Sequence, residues 1–258
     1  MTADEAIDWL RSTPTTAPEG RIVLDELDGV ATLWLDHDAC RNALTTSMMA
    51  QLAEHVRTLQ AAPPKMWLLR ARGRAFCAGG HLGDVRATLG EAEAGRRMAT
   101  VMGAVLERLE ALPSVGVVVV HGAAVGGGAE LAVLGDLCVV QHDAVVHFAQ
   151  ADRGVACGWG GATRLVDRIG PRRAVDVLLL RPEATAQRLS DLGLAVCAED
   201  AAAFADRLAQ RIRALDRSVV RAAIDAVRGR SSEVDAFASV WGQSIHHQQL
   251  AGLPWGRP

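Results

Sequence analysis

Two short stretches of small residues hold the groups best suited to chemistry. Phe76-Cys77-Ala78-Gly79-Gly80-His81-Leu82 and Ala123-Ala124-Val125-Gly126-Gly127-Gly128-Ala129-Glu130-Leu131 each follow a β-rich run and each open a helical pattern. Glycine-rich turns at helix starts present N–H groups with no intrahelical acceptor, where partial positive charge gathers. Each stretch can therefore receive an anion, or an oxygen on which negative charge develops. Either one alone is equally well read as a tight turn whose glycines serve only positive φ. Gly126-Gly127-Gly128 is not GxGxxG and no GK[ST] follows, which speaks against dinucleotide and P-loop sites.

The polar side chains nearby leave alternatives open. Glu130 is a candidate acid or base, or a carboxylate that only complements a helix dipole. His81, directly after Gly80, either caps the turn or presents a pH-sensitive imidazole to the site. Around Gln150, a continuous strand would put Phe148, Gln150 and Asp152 on one side and His147 on the other, unless the chain turns at Ala151. His246-His247 is not a metal pair, because neighbours on a helix point about 100° apart. The five cysteines, Cys40, Cys77, Cys138, Cys157 and Cys197, form no CxxC pair, so they read as small buried hydrophobes rather than a disulfide framework or a zinc site.

The elements that must position these groups follow from periodicity. Residues 1–20, rich in Thr, Pro and Ala, read as a flexible lead-in with a short helix over Ala3 to Leu10. Ile22 to Leu24 and Val30 to Leu35 are β-rich runs joined by Asp28-Gly29, a hairpin signal. Thr45 or Thr46 caps a helix with apolar Met48, Met49, Leu52, Val56 and Leu59. Met66 to Leu69, Val115 to Val120, Leu137 to Val140 and Val145 to Phe148 read as strands, and one long amphipathic helix is expected from Leu82 to about Leu112. Repetition of strand, turn and helix predicts an α/β core over 21–200. From Ala201 to 258 the pattern is helical, with Phe204, Leu208, Ile212, Val219, Ile224 and Val227 apolar.

Composition narrows the class. The chain has 258 residues, half of them hydrophobic, and a net charge of −3; Lys65 is its one lysine. No segment concentrates basic charge as a nucleic-acid site would. The longest apolar run falls far short of the roughly 20 residues a membrane helix needs, and no targeting segment is legible, so a cytoplasmic location is expected, with no membrane partner.

Both turns together, with Arg41-Asn42-Ala43-Leu44, Asp136-Leu137 and Gly158-Trp159-Gly160-Gly161-Ala162-Thr163-Arg164-Leu165, closely resemble the crotonase (enoyl-CoA hydratase/isomerase) superfamily over nearly the whole chain. The resemblance implies the crotonase (ClpP-like) fold, a spiral of ββα units with a C-terminal helical oligomerisation module, and a homotrimer or dimer of trimers. It implies an acyl-CoA thioester as substrate, with no cofactor and no metal. By the same resemblance the N–H groups of Gly80 and Gly127 hold the thioester oxygen. Glu130 stands where hydratases carry one of two glutamates, and Gln150 takes the place of the second. Arg41 is expected near a phosphate, the backbone of Ala78 to Gly80 around the adenine, and His81, Leu82, Gly126 and Trp159 along the substrate. Met48, Phe237 and Trp241 are further candidates for the acyl pocket or equally for the core.

A neutral amide at 150 cannot exchange a proton, so efficient two-carboxylate hydration is not expected unless Asp152 or His147 substitutes. The surroundings of Gln150, the segment Asn42 to Leu52 and the tail Val240-Trp241-Gly242 are most similar to the ethylmalonyl/methylmalonyl-CoA decarboxylase branch, which implies loss of carbon dioxide from a short-chain alkylmalonyl-CoA in fatty acid metabolism. That reading requires Glu130 to be protonated, turned aside or paired, and apolar Val125, Leu131 and Phe148 would favour the neutral form. A hydratase or isomerase working through Glu130 alone is the alternative. A non-catalytic acyl-CoA binder or accessory subunit is the reading from a different class.

Overall fold

A computed structural model describes residues 3–17, 20–88 and 91–251. The remaining residues of the lead-in, of the core stretch after Thr88 and of the C-terminal module lie outside the described residues. The strands are β1 (Arg21–Leu27), β2 (Val30–Asp36), β3 (Met66–Ala71), β4 (Val115–Val120), β5 (Ala123–Val125), β6 (Leu137–Gln141), β7 (Val145–His147), β8 (Glu183–Thr185) and β9 (Val196–Ala198). The helices are α1 (Ala3–Ser12), α2 (Thr46–Ala61), α3 (Leu82–Thr88), α4 (Ala92–Glu110), α5 (Gly127–Ala132), α6 (Gly161–Val175), α7 (Ala186–Asp191), α8 (Ala201–Arg213), α9 (Arg217–Val227), α10 (Glu233–Val240) and α11 (Ser244–Ala251).

The hairpin signal holds. Asp28 and Gly29 both take positive φ, at 52° and 78°, as a turn matched to the strand twist requires, and β1 pairs antiparallel with β2. From β2 onward the large sheet is parallel, in the order β1-β2-β3-β4-β6-β9. A smaller sheet, β5-β7-β8, stands beside it. A long strand in one sheet, a short strand in the other and a helix then recur as β4-β5-α5 and β6-β7-α6, which is the spiral of ββα units.

Parallel strands covered on both faces carry unbroken apolar runs, and Val115–Val120 is such a run. One face packs Leu33, Leu69, Val118 and Val140 against α2 and α4; the other packs Val30, Leu68, Val117 and Val139 against Ala201, Ala205 and Ala209 of α8. Phe204, Leu208 and Ile212 also pack on this second face. The apolar stripe expected from Phe204 to Val227 therefore divides: its first half covers the chain's own sheet, Val220 and Ile224 are buried, and Val227 is 80% exposed.

Thr45 caps α2, its hydroxyl accepting from Met48 N–H at 3.1 Å. Lys65 closes α8 in the manner of a C-terminal cation, its Nζ donating to Arg213 O at 2.7 Å and Leu215 O at 3.0 Å. The single helix expected after Leu82 is two, α3 and α4, because Glu91 is extended (φ −79°, ψ 142°) and starts α4 afresh.

Candidate active site

The two glycine stretches lie side by side. Phe76 and Cys77 N–H both donate to Ala123 O, at 3.0 and 3.1 Å, and Val125 N–H donates back to Cys77 O at 2.8 Å. This contact dictates glycine: a Cβ on Gly79 would sit 2.9 Å from Val125 O, and one on Gly128 would sit 2.1 Å from Cys77 O. On the other side runs Arg41–Leu44. Ala78 N–H donates to Arg41 O at 3.0 Å, Leu44 N–H to Gly79 O at 2.8 Å, and His81 N–H to Leu44 O at 2.8 Å.

These bonds use the groups on either side of Gly80 and leave its own N–H with no backbone acceptor among the described residues. Gly127 is the first residue of α5, and its N–H likewise has none. Both glycines are half-buried, while Gly79, Gly126 and Gly128 are buried. Two N–H groups without a backbone acceptor thus stand on adjacent turns.

Glu130, one turn into α5, is 2% exposed. The apolar setting expected for it from Val125, Leu131 and Phe148 is not what surrounds its carboxylate. Oε1 accepts from Gln150 Nε2 at 2.9 Å and from Gly158 N–H at 3.3 Å; Oε2 accepts from Trp159 N–H at 2.8 Å and Gly161 N–H at 2.9 Å. A carboxylate has about four lone-pair sites, and four N–H groups occupy them. Gly161 begins α6, so the negative group also sits at a helix N-terminus, where it is favoured. Of the three conditions set out above, Glu130 meets the last: it is paired.

Gln150 is 8% exposed, and its Oε1 has no hydrogen-bond partner. Beside them Cys157 is pushed up to about 12 by burial and by the negative charge of Glu130. Cys77 is pushed up to about 12 by burial. Neither thiol is an available nucleophile at neutral pH.

Trp159, 3% exposed, lies across the turns. A Cβ on Gly127 would fall 2.4 Å from its Cζ3, so this ring demands glycine there. Near Gly80 the neighbours of such a Cβ are Trp159 Cζ2 at 3.9 Å, Val85 Cγ2 at 3.9 Å and Met49 Cε at 4.0 Å. Met49, rather than Met48, thus neighbours the first turn; both are fully buried, Met48 against Gly20.

His81 turns to Asp84. Its Nδ1 is 3.2 Å from the Asp84 carboxylate and 3.2 Å from the Asp84 N–H, so according to the tautomer it donates to the carboxylate or accepts from the first turn of α3. Asp84, which periodicity hides inside a helical pattern, is 1% exposed. It accepts from Thr16 N–H at 2.7 Å, Thr46 N–H at 3.2 Å, and the hydroxyls of Thr15 and Thr16 at 3.1 Å each. Burial pushes this carboxyl up, but the bonds from Thr16, Thr46, Thr15 and His81 outweigh it and hold it below the usual carboxylate range.

Asn42, quoted only as part of a motif, is fully buried and left-handed (φ 56°). Its Oδ1 accepts from His37 N–H at 2.6 Å, and its Nδ2 donates to Arg72 O and Ala75 O at 2.7 Å. Such a residue fixes the segment that flanks Gly80.

Other candidates are not brought together. β7 stops at His147, the chain turns through Ala149, and His147 Nε2 meets Asp152 Oδ2 at 3.1 Å, so the alternating-face argument fails. Arg41 offers its carbonyl to the first turn and leaves its guanidinium exposed; Leu82 is 52% exposed. Phe237 of α10 and Trp241 just after it stack on each other at 4.7 Å, and Trp241 meets His246 of α11 at 4.2 Å. No helix among the described residues is long and apolar enough to cross a membrane.

Comparison with known proteins agrees with this architecture. The chain is 32% identical over 251 residues to an ethylmalonyl-CoA decarboxylase of Rattus norvegicus, covering 91% of this chain and 84% of that protein. It is 32% identical over 169 residues to the Xenopus laevis protein of the same name, covering 65% of this chain and 56% of that one. The Danio rerio counterpart is 36% identical over 165 residues, covering 62% and 54%, so the chain spans just over half the length of these last two relatives.

Among solved structures, an enoyl-CoA hydratase from Bacillus anthracis superposes with a TM-score of 0.81 at 22% identity, over 89% of this chain and 94% of that one. One from Polaromonas sp. JS666 does so with 0.79 at 25%, over 90% and 96%. A family model described as enoyl-CoA hydratase/isomerase matches residues 25–248, and with that match the chain belongs to the enoyl-CoA hydratase/isomerase family.

Proposed function

We propose that this protein decarboxylates a short-chain alkylmalonyl-CoA, using the N–H groups of Gly80 and Gly127 to stabilise the thioester enolate. The observation that carries the reading is the saturation of Glu130 by four N–H donors. Hydration of an enoyl thioester asks one group to activate water and another to deliver a proton; here one carboxylate is fully engaged and the other position is an amide.

Decarboxylation asks for less. The bond between C2 and the substrate carboxylate breaks, its electron pair moves into the thioester carbonyl, and carbon dioxide leaves. The enolate oxygen rests on the two N–H groups, each worth about 2.7–4 kcal/mol by the cost of removing such a donor. C2 then takes one proton from water, giving the acyl-CoA. Four hydrogen bonds spread the charge of Glu130 and so lessen, without removing, its repulsion of the substrate carboxylate. The names of the relatives support the same reaction class. Coenzyme A is part of the substrate in this reading, with Arg41 near its phosphates, and exposed Phe237 and Trp241 support a homotrimer or dimer of trimers.

The test is mass spectrometry of ethylmalonyl-CoA, methylmalonyl-CoA and crotonyl-CoA after incubation with the protein. Loss of carbon dioxide from either malonyl thioester is the expected result. Hydration of crotonyl-CoA with both malonyl thioesters intact would sink the proposal.

A further inference from the structure

The six-membered edge of the Trp159 indole bridges the two turns, with Cζ3 at the Cβ position of Gly127 (2.4 Å) and Cζ2 toward that of Gly80 (3.9 Å). Val85 and Met49 stand at 3.9 and 4.0 Å from the same Gly80 position. An acyl group whose thioester oxygen lies between the two N–H groups meets this indole at once. The ring has little freedom to withdraw. Trp159 N–H donates to Glu130 Oε2 at 2.8 Å, Trp159 O accepts from Arg164 Nη1 at 2.6 Å, and Arg164, 8% exposed, is ion-paired to Glu110 at 2.7 Å. Close-packed interiors transmit strain rather than yield, so a wall held at both its backbone groups and buried on its ring resists displacement.

We propose that Trp159 is a specificity-determining residue that gauges the alkyl branch on C2: methyl and ethyl branches lie against the indole, and butyl or longer ones are refused. Glu130 and Arg164 are its positioning residues. The proposal rests on the acyl-thioester reading of the same site. One methylene more or less in an apolar pocket changes kcat/KM by roughly 10–200-fold, so a wall of this size is a sufficient filter.

The experiment measures kcat/KM for methyl-, ethyl- and butylmalonyl-CoA with the wild type, Trp159→Ala and Trp159→Phe. In parallel, calorimetry gives Kd for butyryl-CoA and octanoyl-CoA, which lack the scissile carboxylate, and thermal unfolding checks each fold. The wild type should prefer ethyl over butyl by roughly tenfold or more. Trp159→Ala should erase or invert that ratio and shift binding toward octanoyl-CoA by a similar factor, with Trp159→Phe between. Unchanged ratios in both reactions and binding, in folded variants, would overturn the gauge.

If no malonyl thioester is turned over but binding still discriminates by chain length and Trp159→Ala removes that discrimination, the gauge stands and the decarboxylation reading falls. Should Trp159→Ala fail to fold, Trp159→Phe carries the comparison, since it keeps an apolar ring of shorter reach.

Discussion

Each glycine turn is backed by a buried carboxylate, Asp84 behind Gly80 and Glu130 behind Gly127, and the two are used differently. Asp84 gathers donors from the segment after α1, from the start of α2 and from His81. Glu130 gathers the backbone of the Gly158–Gly161 turn and one side-chain amide. Asp84 ties an outlying segment to the core, whereas Glu130 fixes the Gly158–Gly161 turn and Trp159. The hydroxyl and imidazole partners of Asp84 can rotate to new partners or to water, leaving two backbone N–H groups, whereas three of the four donors to Glu130 are backbone.

The largest effect should therefore come from Glu130→Ala. It strands buried N–H groups of Trp159 and Gly161, and stranded donors cost about 1–3 kcal/mol each. Thermal unfolding should drop by roughly 5 °C or more on the usual scaling for a chain of this size, and turnover of a malonyl thioester should fall by more than about 100-fold. A variant that melts and turns over like the wild type would remove the distinction between the two carboxylates.

Gln150→Glu comes next. It sets two carboxyls within the 2.9 Å that now separates Gln150 Nε2 from Glu130 Oε1. Like charges at such range cannot both ionise, so one must hold a proton. Hydration of crotonyl-CoA should rise above the wild-type level while decarboxylation falls by about tenfold, read from one mixed-substrate assay.

Asp84→Asn should cost less, about 1–2 kcal/mol. Its signature should be faster proteolysis between Ser12 and Ala17, with kcat/KM within a few-fold of wild type.

The pH dependence sharpens the same point. Because the folded-state pKa of Asp84 is held below its unfolded value, its stabilisation is full above roughly pH 4 and is lost as pH falls through the folded value. The protection factors of the Thr16 and Thr46 amides, which correct for the intrinsic pH dependence of exchange, should fall below about pH 4 in the wild type and be flatter with pH in Asp84→Asn. Smallest of all, His81→Asn keeps a capping group for α3 and should shift stability by under about 1 kcal/mol.

What could be read in advance was local. The Asp28-Gly29 hairpin, the Thr45 cap and the two glycine turns are written in adjacent residues, and the resemblance pointed to Gly80, Gly127, Glu130 and Gln150, the last two of which the structure brings into hydrogen-bond contact. What surrounds Glu130 was not legible, because three of its four donors are main-chain groups, which have no residue signature. Asp84 was missed for a related reason: a carboxylate in a helical pattern is usually solvated, and nothing local marks a chain segment returning over it. The placement of His147 hung on whether the chain turns at Ala151, and it does: β7 ends at His147 and a 3-10 turn runs over Ala151–Arg153, so alternation no longer applies. Met48 takes the core alternative, and Met49 neighbours the first turn instead, since which side of α2 meets that turn depends on how the helix is rotated.

The cap on α8 has a consequence for the chemical durability of the protein. Activated thioesters acylate free amines without any catalyst, while guanidinium groups, protonated at any physiological pH, are spared. Among 27 basic residues there is one lysine, and its ammonium is spent on two carbonyl oxygens. This chain thus offers thioesters almost no side-chain amine to acylate, and amine-directed labels or cross-linkers would find equally little to hold.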